Sequence, residues 1–175
     1  MVKTLSVIAL ALCFAAPALA QSDDFPRIQT AFAYSNLGMT GGGLFPGRHS
    51  GIANISGLNL YPWLGVENYM SYYSLGQGVS LFADTFGARL TYRGAGRIVP
   101  YVGAGIGAGY FSLSGGSTGS SLTTRVGFGV DIPITDTLSW KADVGRLSVH
   151  TALAAGKSWS TGPTITTGIV LNIGQ

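Results

Sequence analysis

The 175-residue chain is apolar for its size: charged residues make up only 10% and mean hydropathy is +0.36. Its ten basic and seven acidic residues leave a net +3, scattered rather than clustered, which excludes nucleic-acid partners held by a basic patch. The single cysteine, Cys13, falls in the first 20 residues, so the remainder supports no disulfide, cysteine nucleophile or thiolate metal site.

The chain begins with Lys3, an apolar stretch from Leu5 to Ala16, then Pro17 and Ala18-Leu19-Ala20. A positive start, a short apolar run and an A-x-A site predict a secretory signal peptide over 1–20, with the mature chain beginning near Gln21. Leu12 before Cys13 is too bulky for a lipidation site. Residues 21–175 then form one domain. Beyond Ala20 no window approaches the 18 or so uninterrupted apolar residues of a spanning helix. An apolar, secreted, glycine-rich chain without such a helix closes its backbone hydrogen bonds in lipid only as a barrel.

Side chains of a strand alternate between faces, so parity sorts each run. Over 27–36, Ile28, Phe32 and Tyr34 share a face. Over 51–61, Ile52, Ile55 and Leu58 do not share one, and a bulge is predicted there. In 64–73, Leu64, Val66, Met70 and Tyr72 oppose Glu67, Tyr69 and Ser71; in 85–92, Phe86, Ala88, Leu90 and Tyr92 oppose Arg89. The 98–111 run sets Ile98, Val102, Ala104, Ile106, Ala108 and Tyr110 against glycines 103, 105, 107 and 109. In 122–132 the apolar face is Leu122, Val126, Phe128, Val130 and Ile132; in 138–145 it is Leu138, Trp140, Ala142 and Val144. The last strand, 164–173, presents Ile165, Ile169, Leu171 and Ile173. The reading is an all-β fold: an eight-stranded antiparallel up-and-down transmembrane β-barrel.

Within the cores of these strands six residues are charged: Glu67, Arg89, Arg125, Asp131, Lys141 and Asp143. All lie opposite the apolar set. A charge facing lipid near the midplane costs roughly 2–4 kcal/mol, so the apolar face meets lipid and the six face the lumen. A soluble sandwich or lipocalin-like barrel would instead need solvent faces built mainly of Gly, Ala, Ser and Thr. Glu67 with Arg89, and Arg125 with Asp143, are expected to pair in a buried charge network that plugs an interior only wide enough for side chains.

Short connections (61–63, 93–97, 133–137) alternate with longer ones (36–50, 74–82, 112–121, 147–161), the pattern of short periplasmic turns and long outer loops. Tyr61, Trp63, Tyr92 and Trp140 are expected in a lower aromatic girdle, and Tyr34, Tyr72, Tyr73, Tyr110 and Trp159 in an upper one. Prolines 26, 62, 100, 133 and 163 fall in turns or at strand starts.

The segments Val99–Tyr110, Gly87–Arg93 and Trp63–Glu67 resemble the small outer-membrane barrels related to the OmpA transmembrane domain, OmpX and Ail. The resemblance covers the whole mature chain and is specific for architecture, not for activity, since that family includes anchors, adhesins and serum-resistance factors. Two departures stand out. No periplasmic domain follows, so peptidoglycan anchoring is not implied, and the chain ends Ile173-Gly-Gln175 where the family presents a terminal aromatic.

The expected location is the cell outer membrane and the expected role is structural or surface-interacting (envelope integrity, adhesion) and non-catalytic. Its expected partners are outer-membrane lipids including lipopolysaccharide, the outer-membrane assembly machinery, and an extracellular ligand met by loops 36–50, 112–121 and 147–161. A lipid A-modifying barrel enzyme and a small pore are the alternatives. The histidines, His49 and His150, are expected in or beside outer loops. Ser148-Val-His150 suggests a deacylase only superficially, because the serine precedes the histidine and residue 152 is Ala. Gly103-Ala-Gly-Ile-Gly-Ala108 matches a loose dinucleotide fingerprint but lies at period two inside a strand, which is the wrong context. No cofactor, no catalytic residue and no metal-ligand spacing is predicted.

Overall fold

The computed structural model describes residues 25–39, 46–94, 97–113, 116–153 and 156–174, with the backbone alone described at 113, 116–120, 151–153 and 156–158. The expected signal peptide, 1–20, lies outside them. Eight strands follow one another: β1 (Ile28–Met39), β2 (Gly47–Asn59), β3 (Leu64–Gly76), β4 (Val79–Thr91), β5 (Val99–Leu113), β6 (Gly116–Pro133), β7 (Leu138–Leu153) and β8 (Gly156–Ile173). Each pairs antiparallel with the next, and β8 pairs with β1 to close the barrel. Closure removes every sheet edge, so each strand finds ladder partners on both sides.

The stagger can be read from the ladder. Moving from partner to partner, Leu37 leads through Thr164, Gly145, Gly127, Gly103, Arg89 and Gly65 to Asn59. The Asn59 N–H then bonds the Arg27 carbonyl, so the row returns to the first strand ten residues lower (37 − 27). Such a shear tilts the strands by roughly 35–45°.

Inward and outward residues alternate as the parity analysis requires. Phe32, Ile52, Phe86, Ile106, Val126 and Phe128 are among the most exposed side chains, which is the signature of a lipid-facing wall. Two expectations are corrected. No bulge interrupts β2: its register against β1 and β3 is continuous, and Ile55 breaks parity because it points inward against Ala31, Ala33, Ala53, Tyr69 and Val170. Tyr73 belongs to no upper girdle. It is fully buried in the lumen, while its neighbour Tyr72 faces out.

The strands also run further than their apolar cores suggest. β6 and β8 are each 18 residues long, against the 9–11 or so that cross a bilayer. Most of what reads as loop in 74–82, 112–121 and 147–161 is therefore hairpin standing above the apolar band. The β3–β4 hairpin closes through Gln77 (φ 53°) and Gly78 (φ 73°), the paired left-handed geometry of a type I′ turn. Pro163 consequently lies within β8 rather than at its start, and the β1–β8 pairing stops at Leu37–Thr164, just before it is reached. The opposite end carries short turns at 60–63 and 134–137, held by backbone bonds such as Ile134 N–H to Leu138 O at 2.8 Å. This end, which holds Phe25 and Gly174, is called the lower end below.

Candidate functional site

Among the described residues, the buried charges converge in the lumen. All six charged residues singled out in the sequence point into it and are buried: Glu67 (7% exposed), Arg89 (3%), Arg125 (4%), Asp131 (3%), Lys141 (1%) and Asp143 (2%). Three cations meet three carboxylates, so the set is neutral. The ion pairs run in one chain. Lys141 Nζ lies 2.9 Å from Asp131 Oδ1, and Arg89 Nη2 bonds Asp131 Oδ2. Glu67 bridges the two arginines, 3.6 Å from Arg89 Nη1 and 3.7 Å from Arg125 Nη1, and Arg125 Nη2 bonds Asp143 Oδ1.

Aromatic faces complete the arrangement. Arg89 and Lys141 each lie 4.0 Å from the ring centre of Tyr101, whose hydroxyl donates to Asp143 Oδ2 at 3.0 Å. Arg125 lies 4.0 Å from the ring of Tyr69. Guanidinium over a ring face gains cation–π attraction where water is excluded. Neither tyrosine was singled out from the sequence as part of this cluster. Inward parity beside glycine-rich neighbours is the signal that could have found Tyr101.

The glycines make the room. Arg125 and Asp143 are not directly opposite: Arg125 faces Leu147, and Asp143 faces Gly129. The guanidinium reaches along the wall past Gly127, where a Cβ would lie 3.1 Å from Arg125 Nη2. At Gly129 a Cβ would stand 2.6 Å from the Tyr101 hydroxyl. Gly127 and Gly129 are thus sockets for Arg125 and Tyr101, whereas a Cβ at Gly105 or Gly107 of the loose fingerprint would meet the β4 backbone; these glycines lie inside strand β5.

Three further layers bound the network. Below it, Gln29 Nε2 donates to Asn172 Oδ1 (2.8 Å), Asn172 Nδ2 to Ser139 Oγ (2.8 Å), and Arg89 Nη1 to Gln29 Oε1 (3.1 Å). The lower mouth holds a cavity of about 310 Å³ lined by Pro26, Gln29, Arg93, Arg97, Asp136 and Asn172, among others. Phe25 is buried at that end under Arg27 and Arg93. Partial burial, with Arg89 nearby, pushes the Arg93 guanidinium down to about 10. Midway up, Ser35 joins the hydroxyls of Tyr69 (3.2 Å), Tyr73 (2.8 Å) and Thr166 (3.0 Å). Above these lies an apolar plug of Leu37, Met39, Tyr73, Leu75, Val79, Leu81, Ala83, Phe111, Leu147 and Val149.

The remaining candidates lie elsewhere. His49 is buried (9% exposed) as the third residue of β2. His150 lies on the outer face of β7, its ring edge-on to Trp159 with centroids 5.0 Å apart. Ser148 shares that face, and its hydroxyl accepts from Thr161 at 3.2 Å rather than from the histidine. Among the described residues no group of three His, Cys, Asp or Glu is placed to hold a metal ion. Around the lower end Tyr61, Trp63, Tyr92 and Trp140 are all exposed, with Tyr61 stacked on Trp63. Tyr34, Tyr72, Tyr110 and Trp159 face outward higher up.

Comparison with known proteins gives a consistent result. The model of a family described as "Outer membrane protein beta-barrel domain" matches residues 6–171. No curated protein sequence matches the chain. Three solved structures share its fold. Neisserial surface protein A (NspA) is 16% identical, with a TM-score of 0.64, covering 83% of this chain and 96% of that one. OprG of Pseudomonas aeruginosa is 11% identical (TM-score 0.59; 89% and 99% covered), and Ail of Yersinia pestis is 17% identical (0.52; 82% and 95%).

Proposed function

This chain belongs to the outer membrane protein β-barrel domain family, and from that premise we propose that it is a non-conducting, non-catalytic barrel whose business is done at its surface. The observation that carries the reading is the filled lumen. A neutral chain of five ion pairs closes the lower half, and an apolar cluster of ten side chains closes the upper half. An interior of eight strands is just wide enough to be filled in this way. What is left to act is the lipid-facing wall and the upper hairpins.

On this reading the lower end, with its short turns, faces the periplasm, and the β5–β6 and β7–β8 hairpins rise outside the cell as a contact surface for an extracellular partner. Lipopolysaccharide surrounds the upper wall, and the outer-membrane assembly machinery inserts the chain after removal of residues 1–20. The test is electrical and chemical. Purified barrel in planar bilayers is expected to show no stepwise conductance, and lipid A from overproducing cells is expected to keep its acyl pattern by mass spectrometry. Discrete conductance steps would replace this reading with a pore, and altered acylation would replace it with an enzyme.

A further inference from the structure

The lipid-facing wall is not uniformly apolar. Asp84, on β4, points outward between Met70 and Ala108 of the neighbouring strands, where its Oδ1 accepts from Asn68 Nδ2 at 2.6 Å. Asn68 continues a polar stripe across the first strands. It pairs with Ser56, which pairs with Thr30, and their hydroxyls lie 3.2 Å apart. Ser56 also donates to Asn54 Oδ1 at 3.1 Å, and Asn54 Nδ2 reaches the Ala31 carbonyl at 3.2 Å. On β7, Arg146 points outward and is exposed, flanked by Val126 and Pro163. No ion pair joins it to a described residue.

Asp84 and Arg146 stand at the same depth. The ladder row through Asp84 runs by Ala108 and Leu122 and reaches β7 at His150, one residue beyond the Thr123–Val149 pair. The ten-residue shear raises a row by about four residues over three of eight steps, and Arg146 lies four residues below His150 (150 − 146). Asp84 is seven residues above the lower end of β4 (91 − 84). At an axial rise of about 2.5 Å per tilted residue this is about 17 Å, inside an apolar band about 25 Å tall.

We propose that these two groups are the halves of one contact between copies of this chain, with Asp84 and its amide stripe on one barrel meeting Arg146 of the next in the plane of the membrane. The proposal rests on the membrane-spanning reading, which the family membership supports independently. The partner is a second copy because charge and depth both match. Barrels inserted in one direction share the membrane normal, so only groups at equal depth can meet, and a lipid-facing acid and base each gain by being paired away from hydrocarbon. The two sites are three strands apart around an eight-strand wall, roughly 135°, so the contact is head-to-tail and builds rows or rings rather than a two-fold dimer.

The experiment uses the mature barrel in vesicles, with folding verified by the heat-modifiable gel shift. A mixture of Phe82→Cys and Ser148→Cys proteins, whose outward positions lie two residues above Asp84 and Arg146 and leave both charges in place, is mildly oxidised and expected to give disulfide-linked dimers in several-fold excess over either variant alone. Energy transfer between dye-labelled barrels is expected to fall with Asp84→Arg and to return in the double variant Asp84→Arg/Arg146→Asp. If Asp84→Arg does not fold, Asp84→Asn is expected to give a partial fall in transfer. The idea is overturned if the mixture cross-links no better than the single variants, or if transfer is indifferent to the charge at position 84. Either result would leave Asp84 to its Asn68 bond and Arg146 to the lipid headgroups.

Discussion

The two halves of the lumen fill the same tube by opposite means. The lower half uses six charges, two tyrosine rings and a set of amides, each placed by direction and distance. The upper half uses leucine, valine, methionine and phenylalanine, which need only contact and exclusion of water. Tyr73 joins the two: its ring packs in the plug and its hydroxyl bonds Ser35 in the middle layer. The difference teaches that the halves depend on each other unequally. Ion pairs strengthen as water is removed, so the charged half owes its strength to the plug that shuts the barrel above it. The plug has no reciprocal need for charge.

That asymmetry can be broken from either side, and the largest effect is expected below. Asp131→Ala removes the carboxylate shared by Arg89 and Lys141 and leaves both cations buried without it. The expected loss is about 3–5 kcal/mol, read from urea unfolding of the barrel in vesicles by tryptophan fluorescence. A loss below that of the plug variant that follows would show the lower half to be hydrated. Leu147→Ala opens a cavity in the plug, where Leu147 is 1% exposed, and is expected to cost about 2–4 kcal/mol in the same measurement. The dependence of the halves makes a sharper claim: combined with Asp131→Ala, the plug variant should be less than additive, because water admitted from above solvates the orphaned cations. The smallest effect belongs to the junction. Tyr73→Phe keeps the ring and deletes a hydroxyl that bonds both Ser35 (2.8 Å) and Tyr69 (3.2 Å), for an expected loss of about 1–2 kcal/mol, with the gel shift unchanged.

Much of this was legible in the residues because a barrel wall obeys a period of two. Glu67, Arg89, Arg125, Asp131, Lys141 and Asp143 could be assigned to the lumen by parity alone, since one misplaced charge in lipid is costly. Parity failed where both faces tolerate the same residue. Ile55 is as acceptable inside as in lipid, so it looked like a bulge. Tyr72 and Tyr73 are adjacent aromatics of which only one can face out. The upper strand extensions were hidden for another reason. Above the apolar band, glycine, serine and threonine serve strands and loops alike, so Ser117–Ser121 and Gly156–Thr161 carry no periodic signal. The same shortening concealed Asp84 and Arg146, each of which lies one residue past the end of the strand drawn from sequence.

The Gln29–Asn172 bond at the seam has a bearing on assembly. It links the first strand to the last across 143 residues, while the same Gln29 side chain accepts from Arg89 and, at 3.3 Å, from Asn59. The Oε1 acceptor is served by β2 and β4, but the Nε2 donor meets its partner only when β8 arrives. Closure of the wall and completion of this amide layer are therefore one event, and a barrel that stalls before its last strand leaves the Gln29 Nε2 donor without its Asn172 acceptor. The seam acts as a completion check, written in hydrogen bonds.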